Sequence, residues 1–145
     1  MDEIRPGGQR PETVTAGSSA CRGVRGATSV DDPADGAALA AAVGEMLGQI
    51  LQQNQASTED IAAVIFTVPD DLQGVNPAAA ARRHGFESVP LLVVREHGGD
   101  ERVARCLRVL LLLNTTLGQA EVRHAYLRGA RVLRPDLLPA GADNS

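Results

Sequence analysis

Residues 101–113, ERVARCLRVLLLL, decide how this chain folds, because the same letters read two ways. Val103, Cys106, Leu107, Leu110 and Leu111 fall at three- and four-residue steps, the stripe of an amphipathic helix, and leucine and arginine lean toward helix by propensity. The length and apolar density also fit a strand. Local propensity alone favours the helix. In either form a guanidinium stands at Arg108 between Leu107 and Val109, and burying a charge is costly unless it is paired or used. Arg108 therefore snorkels to solvent, pairs with an acid such as Glu96, or points into a site that binds an anion.

Upstream, CRGVRGATSV at 21–30 alternates weakly and holds two glycines, consistent with a first strand and a close backbone approach. Asp32-Pro33 reads as an N-cap followed by proline at the first helical position. Leu39, Val43, Met46, Leu47, Ile50 and Leu51 then mark an amphipathic helix from about Pro33 to Gln53, with one face packed on a sheet. Ser57-Thr58-Glu59-Asp60 caps a brief turn, and Ile61 to Val68 (IAAVIFTV) reads as a strand buried on both faces. Asp70-Asp71 closes it in a polar turn. Asn76-Pro77 starts a short helix through PAAAARRH, ended by Gly85. Val89 to Val94 (VPLLVV) is a further strand, and a last element runs from about Val122 to Leu133. Residues 1–20 read as a disordered extension and 138–145 as a flexible tail. The sum is one α/β domain of mixed α+β character, a length that suits a single compact unit of about 100–150 residues.

All fourteen basic residues are arginine, and no lysine occurs in the 145 residues. That excludes a Schiff-base lysine, a lysine nucleophile and a phosphate loop completed by lysine. The net charge of −4, one tyrosine, two phenylalanines and no tryptophan argue against nucleic-acid binding. The charges are also segregated. Residues 26–81 hold eight acids and no base, whereas 82–134 hold ten arginines against five acids. Such a concentration of guanidiniums suits small anions carrying carboxylate or phosphate; the plainer reading is solvated charge, or pairing at a subunit contact. No signal-peptide pattern and no apolar run long enough to span a membrane is read, so a cytoplasmic protein with reduced Cys21 and Cys106 is expected. No metal is expected either. His84, His97, His124 and the cysteines have no metal-ligand spacing, and Asp70-Asp71 offers too few converging oxygens for magnesium. A nucleotide fingerprint, a serine elbow and a metalloprotease histidine pair are absent from the sequence.

RGVRGATSV at 22–30, DLQGVNPAAAARR at 71–83, VPLLVVREH at 89–97, RCLRVLLLLNT at 105–115 and VRHAYLRGARVLRPDL at 122–137 together resemble the monofunctional chorismate mutases of the Bacillus type. The likeness covers about Cys21 to Leu137, in the same order and with nearly the same spacing. It implies one long helix packed on a mixed β-sheet, a homotrimeric pseudo-barrel and active sites in clefts between neighbouring subunits. It also implies that the segment around Arg108 is a strand, which overrides the local helix reading.

The implied reaction is the pericyclic rearrangement of chorismate to prephenate, in phenylalanine and tyrosine biosynthesis, with no cofactor and no covalent step. By the resemblance, Arg108 donates to the ether oxygen as the main catalytic group, Arg25 and Tyr126 hold a substrate carboxylate, and Glu96 accepts from the ring hydroxyl. Arg82, Leu133 and Arg134 help bind and close the site, with Asn76, Ala78, Ala79, Leu91, Leu92 and Val93 also at the binding positions. Three of these depart from the family pattern. Asn76 stands where an aromatic residue is found, Ala79 where a lysine can help attract the substrate, and Val93 where a cysteine can contact the substrate hydroxyl. The departures bear on affinity more than on the reaction. Competing readings are a non-catalytic trimer that binds small anions, and an imine deaminase of the Rid type on a similar trimeric barrel.

Overall fold

A computed structural model describes residues 18–32, 35–72, 74–98 and 102–133. The expected extension, apart from its last three residues, and the expected tail lie outside the described residues, as does Arg134. The elements run β1 (Ala20–Ser29), α1 (Gly36–Gln53), β2 (Ile61–Val68), α2 (Pro77–Arg83), β3 (Leu91–Arg95), β4 (Cys106–Thr115) and β5 (Ala125–Leu127). They form a five-stranded mixed sheet in the order β3-β2-β4-β1-β5. β4 is its middle strand, antiparallel to both β1 and β2, while β3 and β5 add in parallel at the two edges.

The contested segment is thus a turn followed by a strand, and its local helix reading is wrong. Pairing with β1 along its whole length and with β2 over 108–113 supplies the backbone partners of the strand, and period-two alternation sorts its side chains better than the helical stripe does. Leu107, Val109, Leu111 and Leu113 are buried on one face, whereas Leu110 on the other is exposed. Tertiary context overrides leucine's modest helix propensity here.

The buried face packs against α1. Leu39, Val43, Met46, Leu47 and Ile50 meet Val24, Val64, Phe66 and the β4 leucines in one cluster, which Ala80 and Ala81 of α2 join. α1 begins three residues later than its Asp32-Pro33 signal suggested. Asp35 is the N-cap, and its Oδ1 accepts from Ala37 N at 2.9 Å. α2 starts where expected, with Asn76 as N-cap, Pro77 in the first turn and Gly85 at φ +95° beyond its end. β2 keeps its expected bounds but is buried mainly on one face: Val64 and Phe66 are buried, Ile65 is half-buried and Ala62 exposed. A bulge between Ile61 and Ala63 lets Ile61 face the core as well. The last element divides into β5 and a 3-10 turn, Arg128–Val132.

Two features fix the edge strand β5. Asn54, the buried C-cap of α1, donates from Nδ2 to Ile50 O and Arg123 O, and its Oδ1 accepts from Arg123 N at 2.8 Å. His124 Nδ1 accepts from Arg25 N at 2.9 Å. Close approach of α1 to β1 depends on Gly26: a Cβ there would lie 2.9 Å from both Ile50 Cδ1 and Val109 Cγ1 and 3.3 Å from Met46 Cγ. Those neighbours are buried and cannot swing aside. Gly26→Ala is therefore expected to destabilise the fold by about 1–3 kcal/mol through overpacking, read as a lowered urea midpoint. An unchanged midpoint would show that the helix can retreat at no cost.

Candidate active site

The face of the sheet turned away from the helices carries the polar residues. Register places Ala27 opposite Arg108 on β4 and Tyr126 on β5, and Arg25 opposite Leu110, so Arg25, Arg108 and Tyr126 share that face. On the other side of β4, Thr67 is opposite Arg108. Thr67 Oγ1 donates to Glu96 Oε1 at 2.5 Å, and Glu96 N donates to Val68 O at 2.9 Å, which anchors the carboxylate just beyond the end of β3. Glu96 Oε2 then lies 3.2 Å from Arg108 Nε. The pair is well shielded, with side-chain exposures of 16% for Glu96 and 35% for Arg108.

That contact is a close ion pair without the alignment of a hydrogen bond. Arg108 Nε is cut off from solvent yet has no hydrogen-bond acceptor. Leaving a buried donor without an aligned hydrogen bond costs about 1–3 kcal/mol, which the nearby Glu96 charge offsets in part. Of the alternatives open to it from sequence, Arg108 takes the pairing with Glu96, and it also lines a cavity.

The cavity, of about 220 Å³, is lined by Arg25, Gly26, Ala27, Arg102, Arg108, Val109, Tyr126 and Leu133. Its apolar floor is a small cluster of Ala27, Val103, Cys106, Tyr126, Ala130 and Leu133, separate from the main core. Sequence reasoning brought Arg25, Arg108, Tyr126 and Leu133 to the site and missed Arg102, Thr67 and His124. Arg102 gave no motif signal. Thr67 and His124 act through partners 29 and 99 residues away, which no local pattern reveals.

The remaining candidates sit elsewhere on the chain. Asn76 is spent on capping α2, its Oδ1 accepting from Ala79 N at 3.0 Å. Ala78 is buried and Arg82 exposed on the same short helix, and Leu91 packs against the helix-side core. Leu92 faces the open side of the sheet, 56% exposed. Val93 lines a second cavity with Val68, Pro69, Asp70, Val75, Val94 and Arg95. None of these reaches the Arg108 cavity within one chain. Asp70 and Asp71 serve structure: Asp70 Oδ1 pairs with Arg95 at 2.7 Å, and Asp71 Oδ2 accepts from Arg105 N at 2.8 Å. Among the described residues no three His, Cys, Asp or Glu side chains gather as metal ligands.

The shielded Arg108, the further arginines Arg25 and Arg102 and the buried Tyr126 give the cavity a chemistry suited to a carboxylate ligand. The family model for chorismate mutase type I matches residues 21–137. The chorismate mutase AroH of Thermus thermophilus is 47% identical over 117 residues, covering 80% of this chain and 95% of that protein. The corresponding protein of Bacillus subtilis strain 168 is 33% identical over 117 residues, 80% and 91% of the two chains. A solved chorismate mutase from Clostridium thermocellum superposes with a TM-score of 0.71 at 34% identity, over 76% of this chain and 97% of that one. The chain belongs to the type I chorismate mutase family.

Proposed function

We propose that this chorismate mutase rearranges chorismate to prephenate in the Arg108 cavity, with Arg108 as the group that stabilises the transition state. The reaction breaks an ether C–O bond and forms a C–C bond within one molecule, so it needs no nucleophile and no proton transfer. Two tasks remain for the protein: to hold the dianion in its compact reactive shape, and to meet the negative charge that grows on the ether oxygen. The solvent-shielded Arg108 Nε, 3.2 Å from Glu96 Oε2 but in no aligned hydrogen bond, carries the reading. A donor already desolvated and held by Glu96 gains most when the ether oxygen becomes charged, which is differential binding of the transition state. In this reading Arg25 and Tyr126 grip a carboxylate, and Glu96 both orients Arg108 and accepts from the ring hydroxyl. Family membership leaves neither the non-catalytic binder nor the imine deaminase favoured.

An exposed apolar face supports a trimeric assembly. Leu92, Val94 and Leu110 are exposed there, 38–56% each, on the side that no helix covers. Three copies joined through such faces would bury that surface and bring the α2–β3 candidates of one copy, Arg82 and Val93 among them, toward the Arg108 cavity of the next. We place the trimer in the cytoplasm, since Cys21 and Cys106 are free thiols and a reducing compartment keeps them so. No described helix is long and apolar enough to cross a membrane.

Purified protein is expected to accelerate loss of chorismate together with formation of prephenate; no acceleration by folded protein would sink the reading. Arg108→Ala is expected to cost at least about 3 kcal/mol of transition-state stabilisation, a hundredfold or more in kcat/KM. Near-normal turnover of that variant would make Arg108 structural. Light scattering should give three times the 15.2 kDa chain mass at assay concentrations, and a monomer that turns over normally would contradict the shared-site assembly.

A further inference from the structure

β1 carries Arg25 to the cavity, yet a neighbouring strand covers only part of its outer edge. β5 pairs with β1 over Gly26–Thr28, so the stretch from Arg22 to Arg25 lies beyond the end of that ladder. Gly23 and Gly26 stand on either side of Arg25 and give the backbone there little stiffness of its own. An uncovered strand edge with such a sequence is free to fray.

Side chains take the place of the missing strand. Gln119 Oε1 accepts from Gly23 N at 3.0 Å, and Gln119 Nε2 donates to Gly23 O at 2.7 Å. One side-chain amide thus makes both bonds that a paired residue of a neighbouring strand would make. His124 Nδ1 accepts from Arg25 N at 2.9 Å, two residues further along the same edge. The loop that presents these groups is itself held. Arg22 Nε donates to Leu117 O at 3.0 Å, and Gly118 N donates to Glu121 Oε1 at 2.7 Å. Glu121 N donates back to Gly118 O at 2.9 Å, Val122 is buried in the main core, and Asn54 fixes Arg123. Gln119 is therefore an exposed side chain on an anchored support, with its amide engaged on the backbone of β1.

We infer that Gln119 is a positioning residue for Arg25: its amide stands in for a strand, keeps the edge of β1 extended, and so fixes where the Arg25 guanidinium enters the cavity. The inference rests on the functional reading above, in which Arg25 grips a substrate carboxylate, and adds a residue from outside the cavity lining. A carboxylate away from the bonds that change carries the same charge before and during the rearrangement. A loosened Arg25 then weakens binding of ground state and transition state alike, so KM rises while kcat stays nearly constant.

Steady-state kinetics with chorismate on wild type, Gln119→Ala, Arg25→Ala and the double variant test this, with circular dichroism and light scattering confirming fold and mass. Gln119→Ala should raise KM about threefold to tenfold with kcat within about twofold. In the Arg25→Ala background the same change should alter kcat/KM by less than about twofold, because a residue that acts through Arg25 has nothing left to position. An equal loss in both backgrounds overturns the inference, and so does an unchanged KM in folded Gln119→Ala. Amide hydrogen exchange read by NMR checks the clamp without turnover: the Gly23 and Arg25 amides should exchange at least about tenfold faster in Gln119→Ala, while those of β4 keep their rates. Unchanged exchange at Arg25 also overturns it. Should wild type rearrange no chorismate, the enzyme reading fails separately, and the exchange rates alone decide whether Gln119 holds the edge of β1.

Discussion

The alternation of β4 is the constraint on which the rest of the molecule hangs. Its odd-numbered residues, Leu107 to Leu113, make the floor of the core, and its even-numbered residues face the open side, where Arg108 meets Glu96. A slip of one residue against β1 and β2 would put Arg108 against Met46 and Ile50 and turn four aliphatic side chains away from the core. Core packing and site geometry are thus one choice of register. The bulge in β2 and the absence of a side chain at Gly26 both serve that register. The first lets β2 keep Ile61, Val64 and Phe66 on the core face, and the second lets α1 settle onto the sheet.

On the open side, the same register solves an electrostatic problem. An arginine among leucines is tolerable only with a counter-charge, and Glu96, fixed by Thr67, supplies it 3.2 Å from Nε without an aligned hydrogen bond. The ion pair holds the guanidinium in place. The small apolar cluster beneath Tyr126 and Leu133 keeps the cavity shaped, and the anchored turn through Arg105 frames its rim. Permanent charge, a planar fork and fixed dipoles are what a reaction without proton transfer can use. This gives a physical meaning to a chain rich in arginine and devoid of lysine.

Much of the fold was legible because its signals are local. Asn76-Pro77 and Gly85 bracket α2, the spacing from Leu39 to Leu51 marks α1, and the apolar run IAAVIFTV bounds β2. The central strand was not legible from propensity, since leucine and arginine carry no strand preference and pairing partners lie outside the window. Only the likeness of five separated motifs turned that segment into a strand. The site divides the same way. Arg25, Arg108, Glu96 and Tyr126 belong to recognisable stretches, whereas Arg102 is one arginine among several until a turn folds it beside the others. The α2 and β3 candidates show the opposite limit: the motif names them, and one chain alone does not bring them to the cavity.

The claim that Arg108 works by oriented donation, beyond its positive charge, is the centre of this account. Arg108→Lys tests it most directly, since lysine keeps the charge on β4 and loses both the fork and the Nε donor. Measured as kcat/KM for chorismate in correctly assembled protein, the account predicts a fall of a hundredfold or more for Arg108→Lys. A value within a few-fold of wild type would contradict it and leave bulk charge as the whole contribution of Arg108.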